Sequence, residues 1–176
     1  RNYTSVVSMG DGRAYKEIVD KKHGKIIYDY DLIDAIWEDR PALSAEPVFE
    51  LEEKYTGESV ESKLGRIREE MKKAGTTAHV LTTLDDICWT LNIRGNDIDF
   101  FPLVLSYMVI TMDKADLYVD ENKFSAELRG KLEKDGVVFH PYNAIYEDIK
   151  SVNEEASLLI DPVRLNYALY NNIPEN

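Results

Sequence analysis

TTLDDICWTLNIRGNDIDFFPLVLSYMVITM, residues 82–112, decides how the rest of the chain is read. Thr83 followed three residues later by Asp86 has the form of a helix capping box, and Asp85 also suits a helix N-terminus. Leu84, Ile87, Cys88 and Leu91 recur at i, i+3, i+4 and i+7, which predicts a short helix with one buried face. Trp89 lies about 100° off that face, at the boundary between buried and exposed. Arg94-Gly95-Asn96-Asp97 then breaks the pattern, because Gly and Asn tolerate the left-handed conformations of a sharp turn. After Pro102 the run 103–112 is apolar except for Ser106 and Thr111, as expected of a strand covered on both faces. No nucleophile–base pair and no metal-ligand spacing occurs in this stretch, which therefore reads as scaffold.

Outward from this centre, periodicity predicts alternating helices and strands. Val60, Leu64, Ile67 and Met71 define a helix over 59–74, closed by Gly75. Its other face carries Glu61, Lys63, Arg66, Arg68, Glu69, Glu70, Lys72 and Lys73. Residues 78–82 are the next strand, and 117–119 pair with the central strand through a hairpin at 113–115. A helix carrying Phe124, Leu128 and Leu132, strands at 137–139 and 157–160, and helices around Ile145 and over 162–170 complete the series. The fold class is α/β: a layered, mixed β-sheet flanked by helices. Before it, spacing predicts a helix over 13–22, a brief strand at 26–28 and a helix capped by Asp29 or Asp31 with Leu32, Ile33, Ile36 and Trp37 inside. Residues 42–47, rich in Ala, Ser and Pro, read as a linker. The expected organisation is 1–41 as the tail of a first domain, 42–47 as linker and 48–176 as a second domain.

Composition narrows the function classes. Hydrophobic content of 44% with 31% charged residues belongs to an ordinary globular protein. A net charge of −12 argues against nucleic acid and anionic membrane as partners, since both demand a concentrated positive field. No apolar run approaches the roughly 20 residues that span a bilayer. One cysteine forms no internal disulfide, so nothing points to an oxidising compartment. The chain begins Arg1-Asn2-Tyr3-Thr4 without an initiator methionine or signal pattern, and is expected to be cut from something longer.

Candidate chemistry is sparse. His23, His79 and His140 lie far apart; His79, inside an apolar strand, reads as a hydrogen-bonded structural residue and His140 as a loop contact. Cys88, on a buried helix face near Asp85 and Asp86, reads as a small hydrophobe. Gly10-Asp11-Gly12-Arg13 resembles the front of a dinucleotide loop but lacks the third glycine. Asp85-Asp86 and Glu154-Glu155 are adjacent acids that do not face one another on a helix. Four residues carry the binding or interface reading. Arg94 suits a bidentate grip on a carboxylate, either a partner's or an internal staple to Asp97 or Asp99. Trp89, Phe100 and Phe101 form an interface if exposed and core if buried, and both readings stand at this point. No catalytic and no metal-ligating residue is assigned.

The string from Leu84 to Ile98, LDDICWTLNIRGNDI, followed by Pro102 and Ser106-Tyr107, resembles the second N-terminal domain of three-domain Xaa-Pro aminopeptidases. Leu32-Ile33-Asp34-Ala35-Ile36-Trp37-Glu38-Asp39-Arg40-Pro41 is similar to their joining segment between the first two domains. Tyr55-Thr56-Gly57 resembles the start of that second domain and His140-Pro141-Tyr142 a motif near its end. The likeness runs in order over residues 23–175. Cys88 stands where the family has a small Ala, and Asp99-Phe100-Phe101 replaces a Pro- and Asn-containing turn. The resemblance implies a creatinase/aminopeptidase P N-terminal-domain-like fold, ribonuclease H-like, plus a partial first-domain tail. It implies a cytoplasmic parent that removes the N-terminal residue from X-Pro peptides. Two divalent metal ions, typically manganese, would sit in a separate C-terminal catalytic domain, so no cofactor is expected here. This chain alone would be non-catalytic, serving as scaffold, active-site access and oligomerisation domain. Its partners would be that missing catalytic domain and possible copies of itself as a homodimer. A fragment of a proline dipeptidase or creatinase, and a stand-alone peptide- or carboxylate-binding module, are the alternatives.

Overall fold

The computed structural model describes residues 6–27, 33, 35–152 and 156–174. In chain order the elements are α1 (Met9–Asp20), β1 (Phe49–Glu50), α2 (Glu53–Thr56), α3 (Val60–Lys73), β2 (Ala78–Leu81) and α4 (Leu84–Thr90). They continue with β3 (Ile93–Arg94), β4 (Tyr107–Thr111), β5 (Ala115–Tyr118), α5 (Ala126–Lys134), β6 (Val137–His140), α6 (Ile145–Asp148), β7 (Leu158–Leu159) and α7 (Tyr167–Tyr170). The expected cap at Asp29 or Asp31, the start of its helix, and the Glu154-Glu155 pair fall outside the described residues.

Contacts divide the chain into two compact units. One comprises Arg1–Leu43, Tyr146–Val152 and Asp161–Asn176; the other comprises Ser44–Ile145 and Asn153–Ile160. In the first, Ser8 caps α1 by accepting from the Asp11 amide at 3.1 Å. The helix therefore starts at Met9 rather than at the expected residue 13, and Gly10-Asp11-Gly12-Arg13 lies inside it instead of forming a loop. Gly12 is there for close approach: a Cβ would lie 2.3 Å from the Tyr167 ring of α7. Asn166 caps α7 by accepting from the Leu169 amide at 2.8 Å. That cap confines the expected 162–170 helix to its last four residues.

The second unit holds a five-stranded mixed sheet in the order β6-β5-β4-β2-β7, parallel at both ends and antiparallel between β5, β4 and β2. The layered α/β expectation and the hairpin joining β4 to β5 are both present. Residues of one sheet face, Leu81, Met108, Ile110, Ala115, Leu117 and Val137, merge into the core with Val60, Leu64 and Met71 of α3, Ile87 and Cys88 of α4, and Leu128 and Leu132 of α5. Val80, Val109 and Tyr118 on the opposite face are also buried, which accounts for the nearly uninterrupted apolar run in β4.

Two expectations for the central stretch are corrected. The strand covers only Tyr107–Thr111, because residues 103–106 hydrogen-bond to the preceding loop: Asp97 donates its amide to the Leu103 carbonyl at 3.3 Å, and the Asp97 carboxylate accepts from the Leu105 amide at 2.6 Å. The left-handed residues are Asn92 (φ 52°) and Phe100 (φ 63°), not Gly95 or Asn96. Gly95 is needed for space instead, since a Cβ would meet Val104 Cγ2 at 2.9 Å and the Leu103 carbonyl oxygen at 3.3 Å. Gly95→Ala is expected to lower stability by about 1–3 kcal/mol through this overpacking, read as a lower urea midpoint with an unchanged denaturant slope.

Candidate functional site

The four residues singled out from sequence lie around α4 and the loop after it. The helix forms as its periodicity requires, with Ile87, Cys88 and Leu91 buried. Its cap is a variation on the expected box: the Thr83 hydroxyl bonds to the Asp86 carboxylate, and no side chain caps the first amides. Trp89 is 44% exposed, so the readings left open for it resolve toward the surface. It borders a groove of about 970 Å³ whose apolar wall is Ile67, Met71, Leu81, Trp89 and Leu159. Phe100 and Phe101 are exposed as well.

Arg94 does not make the expected staple to Asp97 or Asp99. Its Nη1 donates to the Cys88 carbonyl at 3.0 Å and to the Ile93 carbonyl at 2.7 Å. The last carbonyls of a helix lack intrahelical partners and carry the negative end of its dipole, so a guanidinium fits there. Asp97 is committed elsewhere, to Lys123 in an ion pair whose two side chains are both buried. Cys88 is buried, and burial pushes its thiol up from the ordinary value, which leaves it a packing residue. His79 holds the Leu159 carbonyl at 3.0 Å, the structural role expected of it. His140 ends β6, stacks on Tyr118 and meets Asp116 at 2.8 Å, so it is a ladder residue rather than a loop contact.

Sequence reasoning missed Lys63, placed on the solvated face of its helix. It is 2% exposed. Its ammonium donates to the Trp89 carbonyl at 2.7 Å and to Asn92 Oδ1 at 2.6 Å, and lies 4.2 Å from the Trp89 ring centroid. Desolvation pulls its pKa below the usual lysine value, helped by Arg94 and Arg66 and opposed by Glu58. The missed signal was spacing: Val60, Lys63, Leu64, Ile67 and Met71 form one i, i+3, i+4, i+7, i+11 stripe. Beside it, Glu58 accepts from Arg66 Nε at 2.8 Å, from Arg66 Nη2 at 2.6 Å and from the Ser62 hydroxyl at 2.7 Å. The Arg66 hydrogen bonds foremost, then that of Ser62, hold the Glu58 carboxyl at about 2.

Among the described residues, no group of three or more His, Cys, Asp or Glu side chains is placed to hold a metal ion. No helix among the described residues is long and apolar enough to cross a membrane. The arrangement therefore presents at the surface a half-exposed tryptophan beside a groove, and a loop with two exposed phenylalanines.

The creatinase/prolidase N-terminal domain profile matches residues 39–176. The chain belongs to that family. It is 37% identical over 158 residues to aminopeptidase P2 of Arabidopsis thaliana, covering 88% of this chain and 22% of that protein. It is 41% identical over 133 residues to a probable Xaa-Pro aminopeptidase P of Neurospora crassa, covering 73% of this chain and 19% of the relative. The crystal structure of X-prolyl aminopeptidase from Caenorhabditis elegans, described as a cytosolic enzyme with a di-nuclear active site, superposes with a TM-score of 0.89 at 30% identity. That match covers 97% of this chain and 29% of the enzyme. The chain thus spans about a quarter of the length of the relatives it matches.

Lys63→Met is expected to cost about 2–4 kcal/mol, because two buried acceptors lose their donor, whereas Lys73→Met, which breaks only an exposed pair with Glu70, stays within about 0.5 kcal/mol. Urea denaturation of the two variants separates them. The Glu58 carboxyl, lowered from 4.5 to about 2 in the folded chain, adds stability that is complete above pH 4.5 and is lost as pH falls toward 2. The stability gap between wild type and Glu58→Gln should accordingly be flat above pH 5 and narrow below 4.5.

Proposed function

We propose that this chain is the non-catalytic N-terminal region of a metal-dependent Xaa-Pro aminopeptidase, an enzyme that removes the first residue from peptides with proline second. One observation carries the reading: nearly the whole chain superposes on 29% of an X-prolyl aminopeptidase. In this reading, residues 1–41 are the tail of a first domain, 42–47 the linker and 48–176 a second domain. The catalytic domain would be a further, C-terminal part of the same parent polypeptide. It would hold the two metal ions, manganese in the resembling enzymes, which activate a water and polarise the scissile carbonyl. The described residues here do not fit a di-metal centre: His79 and His140 are engaged with Leu159 and Asp116, and Cys88 is buried. No step of hydrolysis is therefore assigned to them.

The chain's own contribution would be mechanical. Rigidly packed helices and sheet form a wall that restricts which peptides reach the catalytic domain and present a surface for pairing with a second subunit. The neighbour's description as cytosolic supports a cytoplasmic setting. A stand-alone carboxylate-binding module is less well supported, since Arg94 is turned onto the Cys88 and Ile93 carbonyls.

Two measurements test this reading. The isolated chain, supplied with manganese, should release no amino acid from an X-Pro peptide; turnover that survives repurification would overturn the assignment. The genomic reading frame beyond Asn176 should continue for a few hundred residues containing spaced Asp, His and Glu, and an immediate stop codon would equally count against it.

A further inference from the structure

Residues 95–103 form a narrow hairpin on the second unit. Its neck is closed by backbone hydrogen bonds from Gly95 to the Pro102 carbonyl at 3.4 Å, from Asp97 to Leu103 at 3.3 Å and from Phe101 to Ile98 at 3.1 Å. Ile98 and Phe101 form an isolated antiparallel bridge just below the tip. The base is locked by Asp97, whose fully buried carboxylate pairs with buried Lys123 and accepts from the Leu105 amide. A loop anchored in this way does not fold its tip back onto the body.

What it holds outward is apolar. Phe100 is 104% exposed, Phe101 60% and Ile98 40%. Phe100 also sits at φ 63°, a conformation unfavourable for a bulky side chain. Strain of this kind persists where the surrounding structure over-determines it, and it concentrates at contact and switch sites. Neither the exposure nor the strain stabilises the chain by itself. Asp99 is the one charged side chain between the two strands' bridge residues.

We propose that the tip at residues 98–101 is a knob that seats in an apolar, cation-rimmed pocket of the polypeptide that X-prolyl aminopeptidases carry beyond the region this chain matches. This rests on the function proposed above. Two observations select that occupant. The matched region is 29% of the C. elegans enzyme, so most of that chain is available to supply the pocket. Charge selects against the other occupants: a second copy brings a further −12 toward Asp99, and an anionic lipid surface is of the same sign.

The test compares one substitution in two settings. Asn tolerates the left-handed conformation and removes the exposed ring, so Phe100→Asn in the isolated chain should leave Tm unchanged or raise it by about 2 °C. A chimera carries this chain in place of the matching region of the C. elegans X-prolyl aminopeptidase. There the same substitution should lower Tm by about 2 °C or more, as the knob is lost from its pocket. Amides of residues 98–101 should also exchange at least about tenfold more slowly in the chimera than in the isolated chain. Shifts of the same sign in both settings, or unchanged exchange, overturn the knob and leave the proposed function standing. A chimera whose parts unfold independently and which has no aminopeptidase activity counts against the proposed function and removes this inference with it. An isolated chain that sediments as a dimer and is dissociated by Phe100→Asn would transfer the tip to self-association and overturn the proposal.

Discussion

A buried ammonium sits where four segments of the second unit meet. Lys63 reaches from α3 to the C-terminal end of α4, where it supplies a donor to the Trp89 carbonyl, and on to Asn92. Asn92 turns left-handed there, and its side-chain Nδ2 donates to the Glu58 carbonyl at 2.8 Å while its backbone carbonyl accepts from the Leu51 amide at 2.8 Å. The junction of α2 and α3, the body of α3, the end of α4 and the start of the β1–β3 ladder are thereby tied to one residue. A charge removed from water without an adjacent carboxylate is costly unless its hydrogen bonds are met. Here two oxygens and the face of Trp89 meet them. This clamp aims β3, and β3 leads directly into the aromatic hairpin.

The hairpin repeats the same device at a second point. Asp97 and Lys123 are both buried, and the carboxylate orders the Leu105 amide. A buried ion pair contributes less to net stability than to specificity, because desolvation offsets most of the attraction while any other register leaves a bare charge. The two buried lysines thus select one loop geometry from many of similar compactness. A loop tied at its base, with Phe100 and Phe101 exposed, follows from that selection. The chain belongs to the creatinase/prolidase N-terminal domain family, and this geometry superposes on part of an X-prolyl aminopeptidase.

Much of the secondary structure was legible in the chain. The apolar stripes of α3, α4 and α5 and the hairpin between β4 and β5 each follow from a period of 3.6 or 2 and from local turn residues. The failures share one cause. Residues 103–106 look like strand because they are apolar, yet their backbone bonds go to the loop around Asp97. Gly95 looks like a pivot because it is glycine, yet it serves the approach of Val104. Arg94 lies near acids in sequence, yet its guanidinium donates to the Cys88 carbonyl of α4 and to the adjoining Ile93 carbonyl. In each case a partner distant in sequence, or supplied by another element, overrode local propensity. The candidate site was legible to a lesser degree, since Trp89, Phe100 and Phe101 could be named but not oriented.

Sequence by itself determined the fold class, the family likeness and the lack of any recognised catalytic or metal-ligand spacing. These depend on periodicity and residue type, which are properties of the chain read locally. Only the tertiary structure decided that Lys63 is interior, that Asp97 belongs to Lys123 and that Phe100 faces solvent. Burial and pairing depend on which surfaces close over a residue, and those surfaces come from segments tens of residues away.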